Sequence, residues 1–279
     1  MARRRFSHVD VFTERLGLGN AVAVVHDASG LPDEELARFA RWTQLSETTF
    51  LLPPTLPDAD YRLRIFTASG ELPFAGHPTL GSARAWLAAG GHPREHDRIV
   101  QECGAGLVEL RRRGQRWHFR APPLLRGGPV DAGEVARLTE GLGLRPEQVV
   151  DARFADNGPG WVALLLDSAA SVLGVEADLR HLRPDDMVGV VGPYPPGSPA
   201  HFEVRAFFAG RGIEEDPVTG SLNAAIAQWL VPAGVAPASY LATQGCRLRR
   251  DGRVHVEYVD GEVWVGGDTV LGVLGTVEL

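Results

Sequence analysis

The chain repeats itself once, and this constrains its fold more than any other feature. His77-Pro78-Thr79-Leu80-Gly81-Ser82-Ala83-Arg84-Ala85 aligns with Asp216-Pro217-Val218-Thr219-Gly220-Ser221-Leu222-Asn223-Ala224, with Pro, Gly, Ser and Ala coinciding at an offset of 139. Upstream, Val22–Asp27 matches Val162–Asp167 at 140, and downstream Gln101-Glu102-Cys103 echoes Gln244-Gly245-Cys246 at 143. Three matches in one order at nearly constant spacing indicate an internal duplication, so the 279 residues divide into two similar halves. The halves are expected at 1–125 and 126–279, with the last strand free to return to the first half. The stretch from Ala121-Pro122-Pro123 to Gly128-Pro129 reads as the linker between them.

Each half reads as strands, a helix and strands again. Phe6–Thr13 and Ala21–His26 alternate or run apolar around Gly17, Gly19 and Asn20, which predicts a hairpin. A helix is expected from Pro32 to Thr43, with proline in the first turn and Asp33, Glu34 and Glu35 at the positive end of the dipole. Leu63–Phe66 is strand-like. Pro78–Ala89 is the next helix, apolar nearly all round with Arg84 its one charge, and therefore buried. Pro217–Leu230 repeats it, with Ser221, Asn223 and Gln228 as its polar interior residues. Val108–Phe119 and Val254–Val265 resume alternation around turns, as antiparallel strands do. The fold class is α+β: two pseudo-symmetric halves, each a mixed, mostly antiparallel sheet wrapped around a central apolar helix.

Composition removes several kinds of chemistry. All 28 basic residues are arginine, so no lysine can form a Schiff base with a carbonyl substrate or pyridoxal phosphate, and no P-loop can be completed. A net charge of −7 argues against nucleic acid as a partner. Arg3–Arg5 and Arg111–Arg113 read as solvated strand or terminus charges. No apolar run is long enough to span a membrane, and Met1–Phe12 lacks a signal-peptide core. With two distant cysteines, Cys103 and Cys246, this suggests a reducing, cytoplasmic setting without a disulfide framework.

Both central helices are read as opening on a polar-Pro-x-x-Gly-Ser pattern. The first amides of a helix have no intrahelical partner and favour negative charge, glycine permits close approach, and serine adds a hydroxyl. If both helix starts face one cleft, they would clamp a small carboxylate and set His77 opposite Asp216 for proton transfer. Tight packing of Gly-Ser at helix starts explains the same residues equally well.

The residues at hand also resemble a family. His8-Val9-Asp10-Val11-Phe12-Thr13, Gly19-Asn20-Ala21-Val22-Ala23-Val24-Val25, Ser46-Glu47-Thr48-Thr49-Phe50 and Phe74-Ala75-Gly76-His77-Pro78-Thr79-Leu80-Gly81 resemble the phenazine-biosynthesis, PhzF-like family. Asp216-Pro217-Val218-Thr219-Gly220-Ser221 and Gln244-Gly245 continue the match along essentially the whole chain. The resemblance implies a diaminopimelate-epimerase-like fold, a cofactor-free isomerase acting on a small carboxylate, and a homodimer. It also implies that Glu47 is the acid/base that moves a proton between carbons, with His77, Asp216 and Ser221 in supporting positions. Gly76, Gly220, Ser221, Ser46, Thr219 and Gln244 form the expected substrate-binding set, and no metal is expected.

Residue chemistry agrees with this. A base that must later act as the acid needs a pKa near neutrality, which desolvation gives a carboxylate. Glu47 lies between Leu45 and Phe50-Leu51-Leu52, the one acid between Glu35 and Asp58. A structural glutamate at a helix end is the plain alternative, as an N-cap is for Asp216 and a satisfied loop histidine for His77. Ser82, the counterpart of Ser221, reads as packing or secondary binding. Three rival functions remain open at this point. A two-thiol racemase would use Cys103 and Cys246, although both follow the helices and a free cysteine often serves as a small buried hydrophobe. A zinc site would use His92 and His96, although Gly90, Gly91 and Pro93 put them in a loop. A catalytically silent binding module would need the helix starts but no proton shuttle.

Overall fold

A computed structural model describes residues 2–209 and 215–279. The chain forms two compact units, one running to Arg120 and taking in Gly266–Leu279, the other formed by Ala121–Val265. Each is a mixed sheet with few helices, and the fold is α+β.

In the first unit β1 (Arg3–Val11) turns back into antiparallel β2 (Asn20–Val25). Asp10 holds that turn by accepting the N–H groups of Gly17, Leu18 and Gly19 at 2.6, 3.1 and 3.2 Å. Gly19 cannot be larger, because a Cβ would sit 2.1 Å from the Val11 carbonyl oxygen. Helix α1 (Asp33–Thr43) follows Pro32, carries Asp33, Glu34 and Glu35 in its first turn and buries Leu36, Phe39 and Ala40. Strand β3 (Glu47–Leu52) then lies parallel to β2, and β4 (Tyr61–Thr67) antiparallel to β3. The short β5 (Gly70–Leu72) leads into α2 (Gly76–Ala88). After α2, β6 (Arg98–Cys103) pairs parallel to β4, and β7 (Gly106–Arg113) and β8 (Arg116–Arg120) continue antiparallel.

Successive residues of a strand point to opposite faces, and β3 shows the consequence. Phe50 packs with Leu36 and Phe39 of α1, whereas Thr49 reaches Ser82 of α2. The sheet is therefore covered on both faces, which is why the run Phe50-Leu51-Leu52 is apolar without alternation. α2 packs against β1, β2 and β3, and residues Gly76–Ala83 and Ala85 are buried. Gly81 permits this approach: a Cβ there would lie 2.3 Å from Cγ1 of Val22 and 3.1 Å from Cγ2 of Val11.

The second unit adds a helix of its own, α3 (Ala132–Gly141), capped by the Asp131 carboxylate on the Glu134 N–H. The first unit's order of elements then recurs: β9 (Val149–Phe154), β10 (Val162–Leu166), α4 (Ala169–Leu173), β11 (Met187–Pro193), β12 (Phe202–Phe208), β13 (Glu215–Asp216) and α5 (Gly220–Leu230). Next come β14 (Ser239–Gln244), β15 (Gly252–Val259) and β16 (Glu262–Gly267). The pairing senses repeat as well: β9–β10 antiparallel, β10–β11 parallel, β11–β12 antiparallel, β12–β14 parallel and β14–β15 antiparallel. Val188 and Val190 of β11 join Val172 of α4 in one cluster, while a Cβ on the intervening Gly189 would strike Leu222 of α5 at 2.4 Å. This sheet too carries helices on both faces. The last strand, β17 (Thr269–Glu278), pairs antiparallel with β1.

The helix starts differ from the expectation. α2 begins at Gly76, two residues before Pro78, because Ala75 is the extended cap and a proline without an N–H is tolerated in the first turn. α5 begins at Gly220, three residues after Pro217, because Asp216 pairs with Ala206 of β12 as a strand residue. The equivalent helix openings are thus Gly76-His77 and Gly220-Ser221, and the shared polar-Pro-x-x-Gly-Ser pattern is not a common opening. Gly81 and Ser82 lie in the second turn of α2, packed into the core.

Candidate active site

In the first unit the start of β3, the start of β2 and the start of α2 meet. The parallel register sets Glu47 beside Val22, one residue from Ala21 and two from Asn20. His77, in the first turn of α2, bonds to the Ala21 backbone and has Nδ1 3.4 Å from Nδ2 of Asn20. Its Nε2 lies 3.2 Å from Oε2 of Glu47, a close contact rather than a directed hydrogen bond. Both side chains are largely buried, 5% exposed for His77 and 15% for Glu47. Burial pushes the His77 pKa down to about 3, and the Ala21 bond, which works the other way, does not offset it. The ring is neutral at physiological pH, so Glu47 faces an uncharged imidazole and not a cation. Ser46, partly buried, precedes Glu47 in the bend that enters β3.

No side chain caps α2. Since Pro78 has no N–H, the amides of Gly76 and His77 are the ones its first turn can offer to an anion. Ser82 does not join them. It is fully buried and bonds Thr49 Oγ1 at 2.8 Å.

The second unit builds its helix start differently. Asp216 is 5% exposed, and its Oδ2 accepts the Thr219 hydroxyl at 2.6 Å, so the aspartate holds the residue before the helix and is not itself the cap. Gln244, at the end of β14, accepts the Thr219 N–H at 2.9 Å and Nδ2 of Asn223 at 3.1 Å through Oε1. Its Nε2 donates to the Asp216 carbonyl at 3.1 Å and to Thr219 Oγ1 at 2.8 Å. The side chains of Gln244 and Thr219 are thereby engaged within the protein. Bidentate pairing of Glu215 with Arg205, both contacts at 2.8 Å, anchors the strand that carries Asp216. α5 has no side-chain cap, which leaves the Gly220 and Ser221 amides at its opening. Ser221 Oγ accepts Nε1–H of Trp161 at 3.0 Å, and the Ser221 carbonyl accepts Nδ2 of Asn157 at 2.9 Å.

The expected residues therefore fall into two groups: Ser46, Glu47, Gly76 and His77 in the first unit, Asp216, Thr219, Gly220, Ser221 and Gln244 in the second. Asn20, Asn157, Trp161 and Asn223 belong with them and were not anticipated. Asn223 carried a signal, as a polar residue inside an apolar helix. The cysteines stand elsewhere. Cys103 ends β6 half-buried, its thiol pushed up by burial away from the reactive thiolate, and Cys246 is exposed beyond β14. His92 and His96 lie in the loop after α2, where His96 contacts Asp97. Among the described residues no three His, Cys, Asp or Glu side chains are grouped to hold a metal ion.

Residues 9–274 match the family model described as phenazine biosynthesis-like protein. The chain belongs to this family. It is 34% identical to antisense-enhancing sequence 1 of Schizosaccharomyces pombe, covering 96% of each chain. It is 35% identical to trans-2,3-dihydro-3-hydroxyanthranilate isomerase of Pseudomonas aeruginosa, covering 78% of this chain and 76% of that one. The crystal structure of the Bacillus anthracis phenazine biosynthesis protein of the PhzF family superposes over the full length of both chains, with a TM-score of 0.84 at 22% identity, a likeness of fold. As a member of this phenazine biosynthesis-like family, the chain is an isomerase. No helix among the described residues is long and apolar enough to cross a membrane.

Proposed function

We propose that this isomerase, without a cofactor, moves a proton between two carbons of a small amino or cyclic acid, and that Glu47 carries the proton. The observation that supports this most is the Glu47 carboxyl, largely buried, set 3.2 Å from a neutral imidazole at an uncapped helix start. Glu47 takes a proton from a carbon next to, or vinylogous to, an activating group, and the electron pair shifts through the conjugated system. The same carboxyl returns the proton to another carbon, so nothing is oxidised or reduced. His77 orients Glu47 and does not compete for the proton, because a ring with a pKa of about 3 is far too weak a base. In the second unit a carboxylate is received by the Gly220 and Ser221 amides and the Ser221 hydroxyl, with Asp216, Thr219 and Gln244 fixing the opening of α5.

The test uses trans-2,3-dihydro-3-hydroxyanthranilate, the compound named for the Pseudomonas aeruginosa relative, in deuterated water. Wild type should rearrange it and place deuterium on carbon. Glu47→Gln should lower turnover by about 10²–10⁴-fold, the usual contribution of a positioned acid/base, while binding 3-hydroxyanthranilate within about threefold of wild type. Turnover of Glu47→Gln at the wild-type rate refutes Glu47 as the proton carrier. Wild-type binding without rearrangement or deuterium uptake favours a silent binding module.

A further inference from the structure

We infer that Trp161 is a positioning residue that sets the polarity of Ser221, making its hydroxyl a hydrogen-bond donor toward the substrate carboxylate. This rests on the assignment of Ser221 to carboxylate binding above. An indole offers one N–H and no acceptor, whereas a serine hydroxyl has one proton and two lone pairs. At 3.0 Å Nε1–H of Trp161 occupies a lone pair of Ser221 Oγ, and it can never take the serine proton in return. Among the described residues no acceptor engages that proton, and Ser221 is only partly buried. The hydroxyl is therefore held with its proton available and one acceptor position filled, the state that suits an incoming anion and disfavours a ligand that donates.

The rest of the loop makes this arrangement rigid. Trp161 is 1% exposed and its ring packs on Phe208 with centroids 5.2 Å apart. Its carbonyl accepts the Ala155 N–H at 2.9 Å, closing the loop between β9 and β10. Inside the loop Oδ1 of Asp156 accepts the N–H groups of Gly158 and Gly160, each at 2.8 Å. These glycines adopt φ of 137° and 94°, which side-chain-bearing residues rarely reach. Asn157, in the same loop, grips the Ser221 carbonyl. Backbone and side chain of Ser221 are thus both set from one tied loop, so its hydroxyl is oriented before any ligand arrives.

The experiment is a titration of wild type, Trp161→Phe, Ser221→Ala and the double variant with 3-hydroxyanthranilate, followed by turnover of the dihydro compound. Each single variant should bind about tenfold more weakly, with kcat changed less than KM, and the double variant should be no weaker than either single. A merely structural tryptophan gives losses that add. Because Phe leaves space in the core, a second protein carries 3-benzothienylalanine at 161, which keeps the indole outline with sulfur in place of the N–H. It should weaken binding as Trp161→Phe does. Wild-type affinity in that protein, or additive losses in the cycle, overturns the inference while leaving the function intact. Failure of wild type to bind the probe overturns the carboxylate reading of Ser221 and the inference together.

Discussion

The same dipeptide, Gly-Ser, stands in the central helix of each unit and does different work in each. In α5 it opens the helix, and Ser221 keeps a proton to give while Trp161 fills a lone pair. In α2 it lies in the second turn, where Gly81 lets the helix settle on β2 and Ser82 is closed into the core on Thr49. What opens α2 is Gly76-His77, with Glu47 against the imidazole. The two helix starts thus keep uncapped amides in common and differ in their side chains: a carboxyl against a neutral ring in one, and the Asp216 carboxyl tied with hydroxyls and amides into a network in the other. The two units share a scaffold and differ at its helix starts, and in the function proposed above the first carries the proton and the second receives the anion.

The sharpest way to break this contrast is Gly81→Ala. Alanine favours a helix over glycine by about 0.8–1 kcal/mol, so an unconstrained site would be stabilised. Here the new methyl meets Val22 at 2.3 Å, and both Val22 and Val11 are fully buried, stiff β-branched residues. Overpacking of this kind costs about 1–3 kcal/mol, and the net loss should lower the melting temperature by several degrees. A melting temperature equal to or above wild type would show that Gly81 is not there for packing, and the ligand-facing reading of this glycine would return.

That outcome bears on how much could be seen from residues alone. The duplication, the α+β class and the elements around both central helices were legible because buried segments must be apolar at the right period. The helix starts were not. Proline favours the first helical turn, which drew both starts to the prolines, but a cap is decided by backbone pairing, and Asp216 pairs with β12 instead. β11 was not among the expected strands; its Gly189 and Gly192 make room for Leu222 and for the Ser168 carbonyl. Glu47, His77, Asp216 and Ser221 stood out through their motifs. Asn20 and Trp161 did not, since their contacts join residues 57 and 60 positions apart and only tertiary structure brings them together.

A milder probe compares the two serines. Ser82→Ala removes the bond to Thr49, which still reaches the Ala23 carbonyl at 3.2 Å, and should cost about 1 kcal/mol of stability. Ser221→Ala leaves the Trp161 N–H without its acceptor and should cost a similar amount. They part in function: Ser82→Ala should keep KM within about twofold of wild type, whereas Ser221→Ala raises it about tenfold. Equal losses in KM would return Ser82 from packing to ligand binding.

The smallest effect concerns a second pair of equivalent places, the parallel strand edges. In the first unit the register sets Arg62 beside Glu102, and in the second Glu203 beside Thr243. Burial raises the Glu102 pKa, but the Thr55 hydroxyl, the N–H groups of Thr55 and Leu56 and the Arg62 guanidinium outweigh it and hold it below the ordinary value. Glu203 is 1% exposed, and burial outweighs the Thr243 and Tyr194 hydroxyls at 2.5 and 2.8 Å, leaving its pKa raised and its Oε1 without a hydrogen bond among the described residues. The signs are opposite. Above the ordinary glutamate pKa the folded state retains the Glu203 proton more tightly than the unfolded chain, so stability falls as pH rises through that window. Glu102 contributes stability that is present above the ordinary pKa and is lost as pH falls through its lowered value. Glu203→Gln should therefore gain in melting temperature relative to wild type as pH rises from 4 to 8, and Glu102→Gln should lose over the same interval. Melting curves in a buffer series decide it: a Glu203→Gln difference that stays flat or shrinks with rising pH would mean that folding does not raise the pKa of this carboxyl, and that the two edges do not titrate in opposite directions.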